Sequence, residues 1–208
     1  MVDPDIVSPS NVGRQLFSPV DVGESKARLL VERINRFYGL DWLSYQRFYT
    51  IEMIEDDRPT FVVSCVDSVK ARREIIGTYG AGKWSMRGGY WLDMGNSANT
   101  GQVMLGTTHS IKQPEGGCDQ LPTIFDYFPN MEEQEDEDQP SCSMADALSK
   151  QDLFINSTIA GFGLDIIWRM FRYGRIEHHG CFVDLENYTT RPVSVENSHN
   201  FFTLKEAA

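Results

Sequence analysis

Apolar positions recur along this chain with two different periods, and each change of period marks an element. Residues 1–17 have no regular period, being interrupted by Pro4, Pro9 and Gly13, and read as loop. A helix follows. Ser18 can cap it, Pro19 occupies the first turn and Asp21 completes a capping-box-like arrangement. Ala27, Leu30, Val31, Ile34 and Tyr38 then fall on one face, and Gly39 ends the helix. Residues 44–54 are aromatic and strand-like. Phe61-Val62-Val63-Ser64-Cys65-Val66 is a nearly continuous apolar run, the pattern of a buried parallel strand. The spacing next predicts a helix over 68–79, with Lys70, Arg72, Arg73 and Glu74 on its wet side.

Two strands are predicted at Tyr90–Met94 and Gln102–Leu105, joined by the turn-rich Gly95-Asn96-Ser97-Ala98-Asn99. Residues 107–142 form a long irregular connection, a length that usually signals function or disorder. A helical region covers 144–173, where Ile155, Ile159, Phe162, Ile166, Ile167, Met170 and Phe171 make an apolar face. Strands around 176–185 and 189–196 precede a frayed tail. This order predicts an α/β sheet with helices packed on it and antiparallel strands at its C-terminal end. Residues 1–175 are expected to be one domain enclosing the loop, and 176–208 a β extension and tail.

Composition narrows the function. The chain has 208 residues, 41% of them apolar, with 12 Phe and 4 Trp, enough for a real core. Its net charge of −11 disfavours nucleic acid and anionic membranes as partners. Part of that charge is a solvated run, Glu132, Glu133, Glu135, Asp136, Glu137 and Asp138. No stretch is apolar enough to span a bilayer, and the Met1 start lacks the signal-peptide pattern. The four cysteines form no C-x-x-C pair, which argues against a disulfide framework and against structural zinc. A reduced, cytoplasmic protein is expected.

The richest chemistry lies in the opening segment. Asp3-Pro4-Asp5 and Ser10-Asn11-Val12-Gly13-Arg14-Gln15, followed by Lys26, gather two carboxylates, carboxamides, a guanidinium and an ammonium. Carboxylates suit ribose hydroxyls or Mg²⁺, and cations suit phosphate oxygens. Singly, each is more often a turn former or a solvating surface group; the joint spacing carries the signal. Asp67, just past an apolar strand, stands at the edge where open α/β sheets bind ligands, or else caps the next helix.

Among the thiols, Cys142 in Pro140-Ser141-Cys142-Ser143 precedes a long helix, whose dipole favours the thiolate while the acidic run opposes it. It reads equally as a nucleophile or an unreactive loop thiol. Cys118 is the runner-up nucleophile; Cys65 is expected buried and inert, and Cys181 structural. His178 and His179, adjacent in a strand, face opposite sides and make poor co-ligands; surface or packing roles are expected for both.

The pattern D-x-D-x-V-x-x-S-N-x-x-R-Q…K resembles the signature of ThiF/MoeB-type enzymes, the ubiquitin-activating superfamily. Tyr90-Trp91-Leu92-Asp93-Met94-Gly95-Asn96, Pro140–Ser143, Arg172-Tyr173-Gly174-Arg175 and His178-His179-Gly180 are similar to the ThiF-family protein of bacterial PRTRC cassettes. The likeness extends over roughly 2–195. It implies a Rossmann-like adenylation fold using ATP and Mg²⁺. Asp3 would bind the ribose, and Asn11, Arg14, Gln15 and Lys26 the phosphates, with Asp5 shaping the loop. Asp67, in a C-x-D context, would hold the metal, with Ser68 where the family often has Asn. Arg14 and Cys142 are the catalytic candidates, Cys142 through a thioester. The implied partners are a small ubiquitin-like β-grasp protein, a conjugating-enzyme-like protein and a second copy of the chain.

The pattern departs from the family in one respect: the signature starts at residue 3, with no G-x-G-G-x-G loop before it. The fold is therefore expected to be N-terminally incomplete, lacking its first strand, phosphate loop and first helix, and to adenylate weakly or not at all. Two other functions compete. One is a non-catalytic module that binds a ubiquitin-like partner; the other, weaker, is an NAD(P)-dependent oxidoreductase, for which no dinucleotide fingerprint is present.

Overall fold

The strands predicted from residue 61 onward resolve, among the described residues, into a single sheet. A computed structural model of the protein describes residues 1–13, 15–50, 53, 60–80, 89–108, 110–111, 118–130 and 152–196. The chain divides into two compact units, Met1–Met53 with Asp138–Leu153, and Ile54–Glu137 with Phe154–Ala208.

In the first unit the polar opening segment winds around the start of a helix. Helix α1 spans Lys26–Tyr38 and stops where Gly39 adopts φ 67°, a left-handed cap that costs glycine little. It does not begin at Ser18, as the capping pattern predicts. Ser18 and Asp21 do form reciprocal bonds, but around a three-residue 3₁₀ turn, Pro19–Asp21. Backbone bonds to the opening loop then take over: Gly23 N–H donates to Val7 O (2.9 Å), Val7 N–H to Glu24 O (2.8 Å) and Lys26 N–H to Asp5 O (3.1 Å). Those donors and acceptors are lost to a continuous helix, so α1 restarts with Ser25 as its cap. Val7, Phe17, Ala27, Val31 and Met53 are buried. The strand expected over 44–54 reduces, among the described residues, to one parallel bridge between Val2 and Tyr45.

The second unit holds a five-stranded sheet in the order β1-β2-β3-β4-β5: Phe61–Ser64, Tyr90–Asn96, Thr100–Thr107, His178–Asp184 and Thr189–Ser194. β1 pairs with β2 in parallel, and the other pairs are antiparallel. The predicted parallel strand is present but lies at the end of the strand order, and Val63 is 48% exposed, so it is not buried on both faces. At the far edge, β5 places Pro192 opposite Cys181. Among the described residues three helices accompany the sheet: α2, Val69–Gly80; α3, Ile124–Tyr127; and α4, Ile155–Tyr173.

Alternation along the strands gives the sheet two chemically different faces. On one, Leu92, Met94, Val103, Leu105, Cys181 and Val183 pack against Ile155, Ile159 and Ile166 of α4. Full burial of each such side chain contributes about 1.5–3 kcal/mol. Two members of the predicted apolar face of α4 do not join this core: Phe162 is 37% and Phe171 73% exposed. Residues 144–151, predicted helical, lie outside the described residues. On the other face, Phe125 of α3 stacks on Trp91, and Phe128 meets Phe182 edge to face. One stretch of the predicted irregular connection therefore belongs to the core: Leu121, Pro122, Thr123, Ile124 and Phe125 are all buried.

Candidate functional site

In the first unit the signature residues are organised by local bonds before any ligand is considered. The bridge from Val2 to Tyr45, with Asp3 N–H donating to Tyr45 O (3.1 Å), sets Asp3 at the end of an extended segment. Its Oδ1 accepts the Asp5 N–H at 2.9 Å, closing a tight turn across Pro4. Asn11 is 6% exposed, and its Oδ1 accepts from the Ser8 N–H (2.9 Å) and Ser8 Oγ (3.1 Å). The carboxamide oxygen is thus committed to the Pro9–Asn11 turn; its Nδ2 end takes no part in those bonds. Gln15 N–H donates to Asn11 O at 2.9 Å. Lys26, the first residue of α1, donates from Nζ to Asp5 Oδ2 at 2.8 Å, its side chain 15% and that of Asp5 61% exposed. Such a solvated pair is worth at most about 1 kcal/mol, so a phosphate can compete for the ammonium. Arg14 lies outside the described residues.

In the second unit Asp67 is exposed on the turn that leaves β1. The cap on α2 is its neighbour, since Ser68 Oγ accepts the Ala71 N–H at 3.1 Å. Behind this turn lies a buried polar network that sequence reasoning missed. Asp93, 1% exposed, is the register partner of Ser64 at the end of β1. Arg72 Nε donates to Asp93 Oδ1 (3.1 Å) and Oδ2 (3.0 Å), and Ser64 Oγ donates to Oδ1 (2.7 Å). Trp91 Nε1 donates to Ser64 Oγ at 2.8 Å, and Gln102 also bonds the carboxylate. Arg72, read from the sequence as solvated, is therefore 4% exposed, because Asp93 supplies a buried counter-charge. Burial pushes the Asp93 carboxyl above the usual range, opposed by the Arg72 charge and these hydrogen bonds. A Cβ at Gly95 would overlap both the Arg72 guanidinium and the Gln102 carboxamide, so glycine there leaves room for the pair. The legible signal was an acid in the middle of an apolar strand, which demands a cation from a neighbouring element.

The thiols and histidines sort differently from expectation at one position. Cys65 is exposed at the end of β1 rather than buried in the sheet, because the strand stops at Ser64. Local desolvation, then the Asp93 charge, raise its pKa, with Arg72 opposing. Cys118 donates from Sγ to Gln120 O at 2.7 Å. Cys181 is buried, which pushes its pKa up to about 11, a structural thiol as expected. Cys142 lies outside the described residues. His178 is exposed while His179 is fully buried, with Nδ1 2.7 Å from Leu105 O and Nε2 3.2 Å from the Tyr127 hydroxyl. Burial lowers the His179 pKa. Among the described residues no group of three or more His, Cys, Asp or Glu is placed to hold a metal ion. No described helix is long and apolar enough to cross a membrane.

The ThiF family model matches residues 1–194, and the chain belongs to the ThiF family. No curated protein matches it. Among solved structures it resembles PaaA at 13% identity and a TM-score of 0.62, with 93% of this chain and 63% of PaaA covered. It likewise resembles E. coli MccB with ATP, at 12% identity and a TM-score of 0.58, with 93% of this chain and 55% of MccB covered. A further E. coli MccB structure matches at 10% identity and 0.60, covering 93% and 54%. At these identities the likeness is one of fold, the mixed α/β fold expected from the sequence. The chain spans 63% of PaaA and 54–55% of MccB.

Proposed function

We propose that the protein acts in ATP-dependent, adenylyltransferase-type activation of the C-terminal carboxylate of a small ubiquitin-like protein. The observation that supports this most is the family match over 1–194, which includes the whole opening signature. MgATP supplies the α-phosphorus that the acceptor carboxylate attacks, with pyrophosphate as leaving group. The chain's own groups bind and orient. Asp3 takes the ribose hydroxyls; Asn11, through Nδ2, and Arg14, Gln15 and Lys26 take phosphate oxygens. Asp67 is the candidate Mg²⁺ ligand. A lone carboxylate fits that ion, which commonly keeps one or two protein oxygens and fills its shell with phosphates and water. Cys142 is assigned a thioester step, residues 1–175 the adenylation domain and 176–208 a β extension, in a cytoplasmic homodimer. The PRTRC-type ubiquitin-like system and a conjugating-enzyme-like partner belong to the same reading.

Calorimetric MgATP binding and ATP–pyrophosphate exchange with a ubiquitin-like protein test it. Lys26→Ala should weaken MgATP binding about 10-fold or more, since a charge-assisted hydrogen bond contributes about 1.5–3 kcal/mol. Unchanged affinity would remove Lys26 from the site. A second reading, a non-catalytic binding module, is favoured by one observation, the Lys26–Asp5 pair that already occupies the ammonium. Partner binding without any ATP affinity would select it.

A further inference from the structure

We infer that the buried Arg72–Asp93 pair is a positioning device for the turn carrying Asp67, tethering it at both ends; its functional consequence rests on the adenylation reading above. Asp93 stands in register with Ser64 and accepts its hydroxyl at 2.7 Å, which anchors the last residue of β1 before the turn. Arg72 grips the same carboxylate through Nε, and its Nη1 donates to Ser68 O at 3.4 Å, the first residue after Asp67. The four residues Cys65–Ser68 are thereby held between a strand end and a helix start that share one counter-ion. Both side chains of the pair are at most 5% exposed, whereas Asp67 faces solvent.

Stability alone is a poor reason for this arrangement, because the desolvation of a buried ion pair offsets much of its attraction. What the planar guanidinium supplies is direction, since its donors leave in fixed orientations toward Asp93 and Ser68. An outer residue that orients a metal ligand acts in this way. Neither Arg72 nor Asp93 is placed to touch nucleotide; they act through Asp67.

The test uses the intact chain and the Arg72→Met/Asp93→Asn double variant, which leaves no orphan charge. Gly95→Ala serves as a second route, because the added methyl displaces the guanidinium while both charges remain. Amide hydrogen exchange without nucleotide should quicken about 10-fold at residues 66–71, while Val103 and Cys181 keep their protection. Equal protection at 66–71 in a folded variant overturns the tether. With nucleotide, Asp67→Asn should reduce the magnesium enhancement of ATP affinity by about 10-fold, and the double variant should do so to a similar degree. Combining the two should add nothing further; an additive loss, or an unaltered magnesium dependence in the double variant, overturns the positioning role. A wild-type chain that binds no ATP with or without magnesium refutes the adenylation reading instead, and the exchange measurement then decides the tether by itself.

Discussion

On the face of the sheet covered by α4, Leu92, Met94, Val103 and Leu105 meet Ile155, Ile159 and Ile166. One strand position along, on the opposite face, Ser64, Arg72 and Gln102 converge on Asp93. The first face needs only area, because apolar attraction is non-directional and tolerates shape-conserving change. The second needs geometry, because each buried polar atom must meet its partner or lose its hydration uncompensated. A single pleat thus separates a region that is robust to chemistry from one that is robust only to paired change.

The largest expected effect tests that contrast directly. Arg72→Met alone should cost about 3–5 kcal/mol, because Asp93 is left buried and unpaired, whereas adding Asp93→Asn should recover most of it. Urea unfolding of the two variants checks this, and equal losses would erase the distinction. On the apolar face, Leu105→Ala should cost about 2–5 kcal/mol through the cavity, while Leu105→Met should cost under about 1.5 kcal/mol. A methionine as damaging as alanine would show that this face, too, is geometrically exacting.

A smaller, pH-dependent effect comes from His179, which burial holds below its ordinary 6.5. The unfolded chain takes up that proton first as pH falls. Its contribution is therefore fully present above about 6.5 and is lost below it, at no more than about 1.4 kcal/mol per pH unit. Denaturation at pH 7.5 and 5.5 should show the loss in wild type and not in His179→Gln. A further pH-dependent effect is in the first unit. There the Arg33 guanidinium, bonded to both oxygens of Asp21, holds its carboxyl at about 2, against 3.8. That stabilisation is complete above 3.8 and fades as pH falls toward 2, and Arg33→Met should flatten this limb of an acid titration.

Much of the sheet was legible because strand alternation is a local property. The strands expected at Tyr90–Met94 and Gln102–Leu105, and those around 176–185 and 189–196, are all found, although Trp91 and Met104 keep spacing alone from assigning their faces. The start of α1 was not legible. The capping residues at Ser18 and Asp21 are real, but bonds from Val7 and Asp5 decide that the helix waits until Lys26. Arg72 was misplaced for a related reason. Flanked by Lys70, Arg73 and Glu74 it looks solvated, and only the register that sets Asp93 against Ser64 shows why it turns inward. In the candidate site, the opening signature was readable through its family pattern, whereas the Lys26–Asp5 pair and the commitment of Asn11 Oδ1 to Ser8 depend on how the loop closes.

Proline at position 192 has a consequence for how copies of this protein meet one another. It sits in β5, the last strand of the sheet among the described residues, opposite Cys181, and brings no backbone N–H to the ladder. Beside it Arg191 adds an exposed charge. A strand from another molecule seeking to extend the sheet at this edge finds a missing donor and a cation where it needs a continuous template. Intermolecular β-assembly is thus discouraged at β5, and replacing Pro192 by valine should make concentrated samples aggregate sooner on warming without altering the fold.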